Sequence, residues 1–191
     1  MGSAQHGHMA TVGYDLYCRM LEDTVKLIKG DIDKEPIETT VDIKIDAYIP
    51  NGYIKDETQK IEVYKKIASI DSYDYMMELQ EELEDRFSDI PNTVYNLMNI
   101  AYLRTIAREL GIIEIKEVNN DIVIIFENKG YLTPHLVRFI LEKYKREIQF
   151  KMGDTPSMVY KVKGIKKEEL LNTLINVSKE MNEVRIREGN S

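Results

Sequence analysis

The nine residues Val41-Asp42-Ile43-Lys44-Ile45-Asp46-Ala47-Tyr48-Ile49 constrain this chain more than any other stretch. Apolar and polar side chains alternate without a break, and the apolar ones are mostly β-branched. Successive side chains of an extended strand point to opposite faces, so the pattern predicts a strand over Val41–Ile49 with one buried side. Asp42, Lys44 and Asp46 fall on the other side. Pro50-Asn51-Gly52 then closes the strand with turn-forming residues.

Beyond that turn the period changes to that of a helix. Asp56 is placed to cap a helix that carries Ile61, Tyr64, Ile67 and Ala68 on one side. Asp71 or Ser72 opens a second, with Met76, Leu79, Leu83 and Phe87 at three- and four-residue steps. Pro91 suits the first turn of a third, which runs to Leu110 and is stopped by Gly111. That third helix is apolar around most of its circumference, as expected for the most buried one. Ile112–Val118 and Ile122–Phe126 read as strands joined at Asn119-Asn120, since asparagine tolerates positive φ in a tight hairpin. Thr133-Pro134 opens a helix to about Tyr144. A second hairpin, Ile148–Met152 with Met158–Val162, turns around Gly153–Pro156. A last helix runs from about Lys166 to Val184. Helices and strands are segregated, which predicts an α+β fold: helices on a small, mostly antiparallel sheet built from hairpins.

Upstream, Met1–Ala10 reads as linker-like, and Tyr14–Lys29 as a helix with one apolar stripe of Tyr17, Met20, Leu21, Val25 and Ile28. Gly30 suits its end, and polar Asp31–Thr39 with Pro36 reads as a linker. The expected division is an N-terminal segment with a linker helix over 1–35 and a globular domain over 36–187.

With 191 residues, 43% of them hydrophobic, the chain suffices for one good core. No apolar run approaches the roughly 20 residues that span a bilayer, and no apolar signal segment is visible at the start. One cysteine, Cys18, cannot form an internal disulfide, which fits a reducing cytoplasm. A net charge of −7 argues against a general nucleic-acid binder. The charge is uneven, however. Residues 31–89 are rich in Asp and Glu, and 129–167 in Lys and Arg. Lys145, Arg146, Lys161 and Lys163 in that basic lobe could contact DNA or an acidic partner, or form an ordinary solvated face.

Catalytic signatures are missing. There is no phosphate-cradling Gly-x-x-x-x-Gly-Lys-Ser/Thr and no Gly-x-Gly-x-x-Gly, and no Gly-x-Ser-x-Gly elbow. A single cysteine excludes cysteine-rich zinc sites. The histidines are His6, His8 and His135, with no third ligand near the first two. One constellation stands out: Glu82, Asp85 and Arg86 at i, i+3 and i+4 share one side of a helix, set off from Leu79, Leu83 and Phe87. Two carboxylates and a guanidinium make a docking surface, because arginine offers a planar fork for bidentate pairing. By spacing alone, an ordinary surface ion-pair cluster is the favoured reading of these residues.

Taken together, Val41–Pro50, Tyr53-Ile54, Lys60–Ala68, Glu82–Phe87, Pro91, Asn99-Ile100-Ala101 and Leu110-Gly111-Ile112 resemble the C-terminal domain of the bacterial transcription-repair coupling factors. Gly7-His8-Met9, Val12–Tyr17, Leu21-Glu22 and Gly30 extend the resemblance to the segment that leaves that family's second translocase lobe. Ser88 departs from it, standing where the family usually has glycine. Family members are large ATP-driven DNA translocases that push stalled RNA polymerase off damaged DNA and recruit excision repair. The resemblance therefore implies a non-enzymatic regulatory piece, without a cofactor of its own; ATP and magnesium belong to the parent's motor lobes. It implies an autoinhibitory domain that docks on the UvrB-like N-terminal module and masks the UvrA-recruiting surface. Glu82, Asp85 and Arg86 match the family's charged motif at that contact.

Overall fold

A computed structural model describes residues 37–189. The predicted helix Tyr14–Lys29, the domain division near residue 35, Cys18, His6 and His8 lie outside the described residues. Among those described, the chain forms five α-helices, a short 3-10 turn at Lys129–Tyr131 and one five-stranded sheet. They divide into two compact units, 44–102 in one and 37–43 with 103–189 in the other.

The first unit holds α1 (Glu57–Ala68), α2 (Tyr73–Phe87) and the leading part of α3 (Asn92–Glu109). Asp56 and Ser72 cap α1 and α2 as expected, accepting from Gln59 N and Tyr75 N. Pro91 sits just ahead of α3, and its carbonyl accepts from Val94 N and Tyr95 N. Met76, Leu79 and Leu83 form the buried side of α2. On α1 the expected face is corrected. Its buried line is Lys60, Val63 and Ile67, and Ile61 is 50% exposed. Lys60 tolerates burial because its stem covers apolar surface while its ammonium meets Asn51 Oδ1 at 2.6 Å and Glu57 Oε1 at 2.9 Å.

The long strand is also corrected. Only Thr40–Asp42 forms a ladder (β1). Burial still alternates through Ile49, with Ile43, Ile45, Ala47 and Ile49 inside. Past the ladder, however, the backbone finds helices as partners. Tyr48 N donates to Thr93 O at 3.2 Å, Ile49 N to the Tyr64 hydroxyl at 3.0 Å, and the Asn96 side chain to Asp46 O at 2.9 Å. Periodicity reports which face is buried; a strand needs a neighbouring strand as well.

The second unit carries the sheet, in the order β1-β2-β3-β5-β4, with β2 Ile112–Val118, β3 Asp121–Phe126, β4 Ile148–Lys151 and β5 Ser157–Tyr160. β1 runs parallel to β2 and every other pair is antiparallel, so the sheet is mixed. Asn119 and Asn120, at φ 52° and 64°, make the expected tight turn. Gly111 is needed at φ 68°: a Cβ there would fall 2.3 Å from the Tyr131 ring. Thr133 caps α4 (Pro134–Tyr144) through Leu136 N. α4 packs on β4 and on α5. α5 (Lys167–Gly189) runs five residues past the expected end. Tyr144 donates to Glu180 Oε2 at 2.7 Å, tying α4 to α5.

Candidate docking ridge

The α2 helix presents Glu82, Asp85 and Arg86 away from its buried side. Arg86 Nη1 lies 2.6 Å from Glu82 Oε1, the i, i+4 pair that the spacing implies. The structure adds two residues from α1. Lys66 Nζ reaches both oxygens of Glu82, at 2.5 Å and 2.8 Å. Glu62 Oε1 stands 3.5 Å from Arg86 and 3.7 Å from Lys66. Hydrogen bonding from Lys66, more than from Arg86, holds the Glu82 carboxyl below its ordinary value, and Glu82 raises Arg86 in turn. Asp85 is exposed and makes no ion pair among the described residues.

The end of this helix is braced from below. Arg86 lies over the Phe87 ring at 4.8 Å, and Phe87 meets Tyr53 edge-on at 5.9 Å. The Tyr53 hydroxyl donates toward the carbonyls of Leu83 and Ser88, at 3.3 Å and 3.4 Å. Burial, with Tyr95 and Glu84 nearby, pushes Tyr53 up to about 12. Ser88 ends α2 at φ 73°, ψ −162°, a region that suits glycine. Ser88, the position that departs from the resemblance, thus has a backbone that favours glycine.

The basic candidates are brought together by strand register. Ile148 pairs with Tyr160 and Lys161 N donates to Glu147 O, so Lys145 and Arg146 enter β4 at the end where Lys161 and Lys163 leave β5. All four are exposed, and none makes an ion pair among the described residues. Lys163 also lines an open groove of about 470 Å³ with Asn119, Asn120 and Lys167. His135 is exposed at the start of α4. Among the described residues no group of three His, Cys, Asp or Glu is placed to hold a metal ion, and no helix is long and apolar enough to cross a membrane.

Glu62 and Lys66 were the residues missed from sequence. Their i, i+4 spacing was visible, but the helix they would face was not.

Three comparisons bear on this geometry. A family model described as the TRCF domain matches residues 43–136, which include the whole ridge. The chain is similar to the transcription-repair-coupling factor of Bacillus subtilis (strain 168), at 33% identity over 189 residues, 97% of this chain and 16% of that protein. It is similar to the same factor of Staphylococcus aureus (strain USA300), at 40% identity over 119 residues, 61% of this chain and 10% of that protein. The chain thus spans about a sixth of the length of the first relative and a tenth of the second. A crystal structure of the C-terminal domain of transcription-repair coupling factor matches with a TM-score of 0.70 and 28% identity, covering 78% of this chain and 95% of that one.

Proposed function

The chain belongs to the TRCF-domain family of transcription-repair coupling factors, and from that premise we propose that it is the regulatory C-terminal domain of a protein of transcription-coupled nucleotide excision repair. It docks on the UvrB-like N-terminal module of the same protein and masks the surface that recruits UvrA. It catalyses nothing itself. Translocation on DNA, displacement of RNA polymerase, and the binding of ATP and magnesium belong to the parent's other lobes, in the cytoplasm.

The observation that carries this reading is the α2 ridge. Opposite charges are held in one place by a network across two helices, with Asp85 left open beside them. Exposed ion pairs contribute about 0–1 kcal/mol each. A few of them suffice between domains tethered in one chain, because the tether raises effective concentration. They also release when the motor changes shape, since such a switch involves only a few kcal/mol.

Charge reversal tests it. Glu82→Lys, Asp85→Lys and Arg86→Glu together should weaken binding to the UvrB-like module at least tenfold, with an unchanged circular dichroism spectrum, and UvrA should compete with the unsubstituted chain for the module. Unaltered affinity would remove the ridge from the contact.

A second reading is favoured by the gathering of Lys145, Arg146, Lys161 and Lys163 at one end of the β4–β5 hairpin: this end contacts DNA phosphates. Binding to duplex DNA should then be measurable at low salt and fall steeply as salt rises. No binding at low salt rejects it.

A further inference from the structure

The chain contains one Asn-Gly pair, Asn51-Gly52, in the turn between Ile49 and α1. Such a pair is chemically labile, because glycine has no side chain to keep its backbone nitrogen away from the preceding side-chain amide. Both residues are exposed. Gly52 N makes no hydrogen bond among the described residues. Apart from its chain neighbours, no described atom stands within 4 Å of where a Cβ on Gly52 would be. The turn closes around the pair through Tyr53 N and Ile54 N, which donate to Pro50 O at 3.0 Å and 3.2 Å. A second observation comes from α1. The Lys60 ammonium donates to Asn51 Oδ1 at 2.6 Å, and the Lys60 side chain is only 10% exposed. Its carboxylate partner, Glu57, is 75% exposed. A cation held on a buried stem against an amide oxygen polarises that amide, and a buried cation favours a carboxylate over a neutral group beside it.

We propose that Asn51 is a self-modification site, deamidated by attack of Gly52 N, and that Lys60 directs the product to aspartate. Gly52 N loses its proton and bonds to Asn51 Cγ, while the Cγ–Nδ2 bond breaks and Nδ2 leaves with that proton as ammonia. Negative charge develops on Oδ1 as the nitrogen adds, and the Lys60 ammonium stabilises it there. The cyclic imide that results keeps Oδ1. Water, the only co-reactant, then opens it at one of its two carbonyls. Attack at Cγ breaks the bond from Cγ to Gly52 N and leaves aspartate. Attack at the backbone carbonyl leaves isoaspartate, with the main chain routed through Cγ. In a free chain the backbone carbonyl is the more reactive. Lys60 activates Cγ instead, since Oδ1 is the oxygen it already holds, and the carboxylate so formed pairs with its ammonium. Isoaspartate would lengthen a turn whose two hydrogen bonds converge on Pro50 O. The modification places a new negative charge just ahead of α1.

Mass spectrometry of the 191-residue chain, aged near neutral pH and digested, tests this, with fragmentation that separates aspartate from isoaspartate. Asn51 should convert at least about tenfold faster than Asn119 or Asn120, whose following residues carry side chains. Aspartate should be the main product in the folded chain, and isoaspartate the main product in the same chain unfolded in urea. Lys60→Met keeps the apolar stem and removes the ammonium. With an unchanged circular dichroism spectrum, it should slow conversion about tenfold and make isoaspartate the main product. Asn51→Asp should raise the urea midpoint when Lys60 is present and leave it unchanged in the Lys60→Met background. No conversion at Asn51 in the folded chain overturns the proposal. So does a product ratio that is the same folded and unfolded, or one that Lys60→Met leaves unaltered. If Lys60→Met does not fold, the folded and unfolded product ratios of the unsubstituted chain decide the matter by themselves.

Discussion

The α2 ridge and the basic end of the β4–β5 hairpin are both charged surfaces, and they carry charge in opposite ways. At the ridge, four side chains from two helices meet at 2.5–3.7 Å and cancel one another. At the hairpin end, four cations stand exposed with no ion pair among the described residues. Separations at the ridge lie well inside the Debye length of about 8 Å at physiological salt. A contact made there would depend on geometry, since the charges largely cancel one another at longer range. The hairpin end gathers cations that are not tied up in ion pairs among the described residues, an arrangement that attracts anions at a distance and fades with salt. A surface of few, mutually held charges suits a switchable contact with one protein partner; a cluster of like charges suits contact with a polyanion of any sequence.

Truncating the core beneath each region should break it most. Leu83 is fully buried next to Glu82, and Ile148 is 1% exposed where β4 begins. Leu83→Ala and Ile148→Ala should each lower unfolding free energy by about 3 kcal/mol, read from urea midpoints. A loss below about 1 kcal/mol at either site would mean that region is loosely rooted.

Two helix ends sharpen the comparison at a smaller scale. Ser88 ends α2 at φ 73°, and Lys145 ends α4 at φ 46°, ψ −111°. Both backbones favour glycine. Ser88→Gly and Lys145→Gly should each raise stability by about 1 kcal/mol in the same urea measurement, the first leaving the ridge in place and the second removing one of the four cations of the hairpin end. Destabilisation by either would show that its side chain contributes more than its backbone strain costs.

The smallest effect belongs to Tyr53. Tyr53→Phe removes two long hydrogen bonds and should cost less than about 1 kcal/mol at neutral pH. The pH dependence is more telling. The folded value of Tyr53 lies above its ordinary 10.0, at about 12, so the folded state keeps the proton longer. Its contribution is therefore complete below the ordinary value and is lost as pH rises toward the folded one. Tyr144, raised by burial and by Glu180, acts in the same direction in the other unit. Urea midpoints taken from pH 8 to 12 should fall, and Tyr53→Phe should make the fall shallower. An unchanged slope would exclude Tyr53 as a contributor.

Local signals in the sequence were strong wherever one residue decides one backbone geometry. Asp56, Ser72 and Thr133 cap helices because their side-chain oxygens reach backbone N–H groups three residues on. Asn119-Asn120 turns because asparagine accepts positive φ. The strand over Val41–Ile49 was overextended because alternation describes burial, while ladder bonds depend on what lies alongside. Ile61 was placed inside because α1 has apolar residues on two lines, and only packing chooses between them; the choice was the line that includes the lysine Lys60.

The same divide runs through the ridge. The sequence alone determined that Glu82, Asp85 and Arg86 share one side of a helix, because the helical period is set by backbone hydrogen bonding. Only the tertiary structure decided that Lys66 and Glu62 complete the group and leave Asp85 outside it. The contacts that run between the two helices join residues 16 and more positions apart, and coulombic pairing over a few ångströms depends on how helices pack, which no local spacing encodes.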